Sequence, residues 1–167
     1  MTEPYKAKIL EAIPCAAESE DSIVDAFIKL EINGVRIWAF VPNWRRLFPY
    51  PSMKIPTHRL GYGRKLLDNL LNRYANVGLK FLNLKSGKNQ LKEKRANWID
   101  ERTVHFEIFG QVIEKKPAAE HGGAPPREIL WVDCGVVVET DAKKGEFQAG
   151  DWIHLIGRLD AELIEVL

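Results

Sequence analysis

On either side of Asn33-Gly34 the chain runs through two apolar-rich stretches, Ile23 to Ile32 and Val35 to Val41, that alternate in character. Asn-Gly is favoured in type I′ turns because both central residues there take positive φ, so these stretches predict a hairpin with a two-residue loop. The loop length sets the register. Ile32 then faces Val35, Leu30 faces Ile37, Ile28 faces Ala39 and Ala26 faces Val41, which makes one face wholly aliphatic. The other face pairs Glu31 with Arg36, Lys29 with Trp38 and Phe27 with Phe40, each pair contributing about 0.2–1 kcal/mol. That face is either a ligand platform or a surface under a helix. Two Phe and a Trp left bare would expose a large apolar area, so coverage is the leading expectation.

A strand is also expected from Tyr5 to Ile13, and Pro42, Pro49, Pro51 and Pro56 mark an irregular excursion after the hairpin. From Gly63 the pattern turns helical: Leu66, Leu67, Leu70, Leu71 and Tyr74 share one stripe, with Lys65, Asp68, Asn69, Asn72 and Asn76 opposite. This predicts one main helix near residues 63–76, ended by Gly78. Leu79 to Leu84 returns as a strand, and a charged loop begins at Lys85. The last third reads as strands over Thr103 to Ile113, Glu128 to Glu139, Asp151 to Leu159 and Ala161 to Val166. Gly110 and Gly135 interrupt two of these, where a bulge or a sharp coil lets a sheet curl. The expected fold class is therefore α+β, mainly β: a closed or partly open antiparallel barrel of about seven or eight strands with one helix. At 167 residues a single domain is expected, with a basic excursion at 43–102 inserted between β units at 5–42 and 103–167.

Leu10-Glu11-Ala12-Ile13-Pro14-Cys15-Ala16-Ala17-Glu18 echoes Ile113-Glu114-Lys115-Lys116-Pro117-Ala118-Ala119-Glu120, with one residue inserted in the first copy. Two related β units would explain the echo, and so would chance. The run Gly150-Asp151-Trp152-Ile153-His154-Leu155-Ile156-Gly157-Arg158-Leu159 resembles the third strand of many OB-folds, in which a glycine-acid turn leads into an alternating strand ended by Gly-x-Leu. The resemblance implies a small curved barrel whose sheet face and loops commonly bind oligonucleotides, and which elsewhere serves as a protein adaptor. The chain departs from the five-stranded plan by its extra strands and by a helix in its first half.

Charge changes the picture most. Between Asn43 and Arg95 there are thirteen Lys or Arg against two acids, a local +11, whereas residues 1–42 carry −3, residues 96–167 carry −7 and the whole chain +1. Trp44, Phe48, Tyr50, Tyr62, Tyr74 and Phe81 lie within the basic stretch and Trp98 just beyond. Rings beside cations suit single-stranded nucleic acid, whose phosphates meet charge and whose bases meet π-faces. The bland alternative is a mixed surface in which the acidic ends balance the cations.

Other chemistry is thinner. Cys15 and Cys134 show no CxxC spacing and read as buried free thiols in a reducing compartment, a single Cys15–Cys134 bridge being the alternative. His58, His105, His121 and His154 are scattered. His105, Asp133 and His154 would converge only on adjacent strands, and their plainer reading is as solvent-facing strand residues; no metal or cofactor is expected. Gly61 and Gly63 precede Arg64 and Lys65, so backbone N–H groups at the predicted helix start would point at an anion, unless the glycines serve only a turn. No apolar run approaches the roughly 18 residues a membrane helix needs, so no membrane partner and a cytoplasmic location are expected.

The leading functional expectation is a non-enzymatic nucleic-acid-binding protein that prefers single strands, since no recognition helix is evident. Phosphate contacts are assigned to Arg45, Arg46, Arg59, Arg64, Lys65, Lys85, Lys88, Lys92 and Arg95, and base stacking to Trp44, Tyr62 or Trp98. The alternative is an adaptor or inhibitor module that recognises an acidic protein partner. A small-molecule enzyme ranks third.

Overall fold

In a computed structural model the residues described are 4–19, 22–42, 70–100, 104–120 and 122–167. They form nine strands: β1 (Tyr5–Ser19), β2 (Ser22–Ile32), β3 (Val35–Val41), β4 (Tyr74–Lys88), β5 (Arg95–Trp98), β6 (Phe106–Pro117), β7 (Arg127–Asp133), β8 (Val137–Lys143) and β9 (Trp152–Val166). The strand order is β1-β2-β3-β9-β4-β8-β7-β6-β5, with additional pairings β1–β4 and β9–β6. The pairs β3–β9 and β4–β8 are parallel and the other registered pairs antiparallel.

The fold is thus all-β among the described residues, with parallel as well as antiparallel strand pairs. This corrects the expected α+β, antiparallel fold with its helix at 63–76. Residues 63–69 lie outside the described ones, but the end of the predicted helix is a turn and a strand. Asn72 has φ of 64°, a left-handed conformation that ends any helical path, and β4 starts two residues later. From there Ala75, Val77, Leu79 and Phe81 are buried in strict alternation, a period of two that the leucines upstream masked. Gly78 ends nothing and sits within β4. The separate strands expected at 151–159 and 161–166 are one continuous β9. The single strand expected at 128–139 is broken into β7 and β8 at Gly135, with φ of 102°.

The hairpin forms as read. All seven cross-strand pairs from Ala26↔Val41 to Ile32↔Val35 occur. Arg36 Nε lies 3.2 Å from Glu31, Lys29 Nζ 5.9 Å from the Trp38 ring centre, and the Phe27 and Phe40 rings 5.3 Å apart. Phe27 and Phe40 are buried, whereas Lys29 and Trp38 are only half-buried.

The chain divides into two compact units, one comprising Glu3–Gly78 and Asp160–Leu167, the other Leu79–Leu159. β4 and β9 each contribute to both. Their internal wiring is the same. In the first, β1 pairs with β2 across a bulge between Ile9 and Glu11. In the second, β6 pairs with β7 across a bulge between Val112 and Glu114, which places Ile113 where Leu10 stands. That correspondence carries Lys8↔Tyr74 onto Gln111↔Trp152, both of which are paired, and Pro14↔Ala26 onto Pro117↔Glu128, again both paired.

The turns entering β4 and β9 agree as well. Asn72 donates to Ile9 O at 2.7 Å and Ile9 to Arg73 O at 2.9 Å; Gly150 donates to Val112 O at 2.7 Å and Val112 to Asp151 O at 2.9 Å. Asn72 and Gly150, both at positive φ, occupy equivalent places. The short echo around Pro14 and Pro117 therefore falls on equivalent places of a strand arrangement that recurs in the two units.

Two glycines permit close crossings in the second unit. A Cβ on Gly110 would lie 2.5 Å from Asp133 O, and one on Gly157 would overlap the Leu82 carbonyl. Gly110, where a bulge or a sharp coil was expected, is a place where backbone passes backbone. The core of this unit includes Phe81, Phe106, Ile108, Leu130 and Leu155, and buried Thr140 donates its hydroxyl to Phe81 O at 2.7 Å.

Candidate nucleic-acid interface

The basic segment from Lys80 to Arg95 is more ordered than the loop expected from Lys85. β4 carries on to Lys88, and Asn89 then closes a tight turn: its Nδ2 donates to Glu93 O at 2.7 Å, its Oδ1 accepts from Glu93 N at 3.0 Å, and its carbonyl accepts from Lys92 N at 3.2 Å. Such side-chain to backbone bonds are why Asn favours turns. Lys92 takes φ of 51° to complete it. Beyond Asn83 the residues of β4 are exposed on both faces, so its end stands clear of the core.

Lys85, Lys88 and Lys92 are exposed, and their ammonium groups make no ion pair or hydrogen bond among the described residues. Lys94 and Arg95 are neutralised instead. Lys94 Nζ lies 2.8 Å from Asp133; Arg95 Nε lies 3.2 Å from Glu93 and its Nη1 3.9 Å from Glu107. Two acids border the lysines among the described residues: Glu93, next to Lys92 in the turn, and Glu146, which accepts from Ser86 Oγ at 3.4 Å. Leu84 and Leu91, 75% and 81% exposed, share the segment.

Beside it lies the outer face of β5, β6 and β9. Arg95, Phe109 and His154 are direct cross-strand partners. The guanidinium carbon of Arg95 sits 4.1 Å from the Phe109 ring centre, and Phe109 stacks on His154 at 4.0 Å with 6° between the rings. His154 Nε2 is 2.9 Å from Glu107 Oε2, whose other oxygen accepts from Asn97 Nδ2 at 3.2 Å. On its Nδ1 side His154 faces Gly87, where a Cβ would come within 3.8 Å. The ring stack and the lysine segment meet at that glycine. Trp152 lies on the same face, with Lys94 Nζ 5.8 Å from its ring.

Trp98, assigned to base stacking, is half-buried and stacks on buried Phe106 at 5.9 Å. Arg45, Arg46, Arg59, Arg64, Lys65, Trp44 and Tyr62 lie outside the described residues. Phe109 and Trp152 were not picked out from the sequence. The alternation of β6 and β9 marks them as outward-facing, but only the pairing of the two strands brings them together.

The trio His105, Asp133 and His154 forms no metal site. Among the described residues no group of three metal-ligating side chains occurs; Asp133 is committed to Lys94 and His154 to Glu107. Partial burial acts to raise the Asp133 pKa, but the Lys94 ammonium and the Gly135 N–H outweigh it and hold the carboxyl below its ordinary value. Cys134 is free and buried; burial pushes its thiol up to about 12, and it donates to Val136 O at 3.2 Å. Among the described residues no helix is long and apolar enough to cross a membrane. Searches against protein-family models and against curated proteins return no match.

Proposed function

We propose that the chain binds single-stranded nucleic acid along the end of β4 and the adjoining face of β5, β6 and β9. The observation that carries this reading is that Lys85, Lys88 and Lys92 are exposed and unpaired among the described residues, on a segment that abuts the Arg95–Phe109–His154 stack at Gly87. Unpaired ammonium groups gain by displacing counterions from phosphates, and the neighbouring face supplies planar groups for bases. The cations that are already paired, Lys94 and Arg95, would gain less from a phosphate.

A second reading has its own observation. Leu84 and Leu91 are exposed between the same lysines, and an acidic protein partner would bury them while pairing the cations. Titration of the full chain with an unlabelled single-stranded oligonucleotide, followed by tryptophan fluorescence at two salt concentrations, separates the two. Quenching that weakens steeply with salt supports nucleic acid. Absence of binding to both single-stranded and duplex forms at low salt defeats it and leaves the protein partner.

A further inference from the structure

We propose that the guanidinium of Arg95 is a stacking plane for a nucleobase, a role distinct from the phosphate contacts of the lysines; the proposal rests on the nucleic-acid reading above. Arg95 is the outer member of a three-strand row. Phe109 has the Arg95 guanidinium carbon over its ring at 4.1 Å and His154 stacked on it at 4.0 Å, so its own ring already has two neighbours. Trp98 is taken up by Phe106 and Trp152 has Lys94 beside its ring. Arg95 itself stands on β5, the last strand in the order, with 46% of its side chain exposed.

The group is also held in place. Glu93 takes its Nε at 3.2 Å, and Glu107 lies 3.9 Å from Nη1 while being fixed by Asn97 and His154. Two carboxylates offset its charge, which makes it a poor phosphate ligand and leaves its flat face as the useful surface. A guanidinium is planar, delocalised and weakly hydrated, so it stacks on π-faces; bases splayed from a single strand stack on arginine planes as they do on rings. The arrangement therefore reassigns Arg95 from backbone contact to base contact.

The test compares two labelled oligonucleotides of equal length, one of thymidines and one with abasic sites, against the full chain and its Arg95→Lys variant, which keeps the charge and removes the plane. Wild type should prefer the base-bearing strand. Arg95→Lys should weaken that strand by about tenfold, with abasic affinity and salt dependence unchanged. Glu107→Gln, which loosens the guanidinium without deleting it, should give a smaller loss of the same kind and serves if Arg95→Lys does not fold. A wild type that binds both strands equally, or an Arg95→Lys variant that binds both as wild type does or loses both alike, overturns the stacking role while leaving phosphate binding intact. A wild type that binds neither strand removes the nucleic-acid reading itself.

Discussion

Replacing Lys85 and Lys88 by Gln and Lys92 by Asn removes three charges while disturbing little else. The three side chains are exposed and carry no ion pair among the described residues, and Asn tolerates the left-handed φ of 51° at position 92. Stability should therefore stay within about 0.5 kcal/mol of wild type. For single strands, log K falls with log salt by about 0.7 for each phosphate neutralised. Three lost contacts should flatten the slope by about 2, so between 50 and 200 mM salt the wild type should lose about 20-fold more affinity than the variant. Fluorescence anisotropy of a labelled oligothymidine at four salt concentrations measures both slopes. A variant that binds more weakly but keeps the wild-type slope would refute the reasoning, because the lysines would then be acting by some means other than counterion release.

Three further outcomes follow from the packing and charge. In a Cys15→Ser background Cys134 should resist thiol reagents at pH 8 until urea unfolds the chain; with its folded pKa raised to about 12, the stability it lends is complete below the unfolded thiol pKa and is lost as pH rises above it. Asp133, held below its ordinary pKa, lends stability above the unfolded carboxyl value that disappears as pH falls through the folded one. Lys94→Met should return the Asp133 carboxyl towards its usual range by NMR titration, at a cost of about 0.2–1 kcal/mol for a partly exposed pair. Gly157→Ala should destabilise by about 3 kcal/mol or fail to fold in urea melts, because its Cβ meets the backbone of Leu82; Gly34→Ala, with open space around it, should cost about 1 kcal/mol for its φ of 81° alone.

The candidate site was partly legible in advance because charge is a property of composition. Lys85, Lys88 and Lys92 stood out by local excess, and their exposure agrees with that signal. Arg95 stood out for the same reason, yet Glu93 and Glu107 neutralise it, one partner near in sequence and the other reached only across the β5–β6 pairing. Trp98 is a candidate for base stacking by sequence, and in the fold it is half-buried and stacked on Phe106. Phe109 and Trp152 carried no signal, since each is one alternating residue among many until their strands lie side by side, and His154 stood out only as a member of a trio with His105 and Asp133.

Local rules by themselves determined the β2–β3 hairpin, because a two-residue Asn-Gly loop leaves one register that keeps the aliphatic positions on one face. They also showed the echo around Pro14 and Pro117, which occupy equivalent places in β1 and β6. They misread residues 70–76, where leucines at helical spacing precede a strand whose start is set by the left-handed turn at Asn72 and by its pairing with β1. Tertiary structure alone decided that β4 and β9 each serve both units, that parallel pairings make the sheet mixed, and which cations find a carboxylate. Hairpin energetics are settled within a few neighbouring residues, whereas those three outcomes depend on contacts between segments far apart in the chain, and no local pattern encodes them.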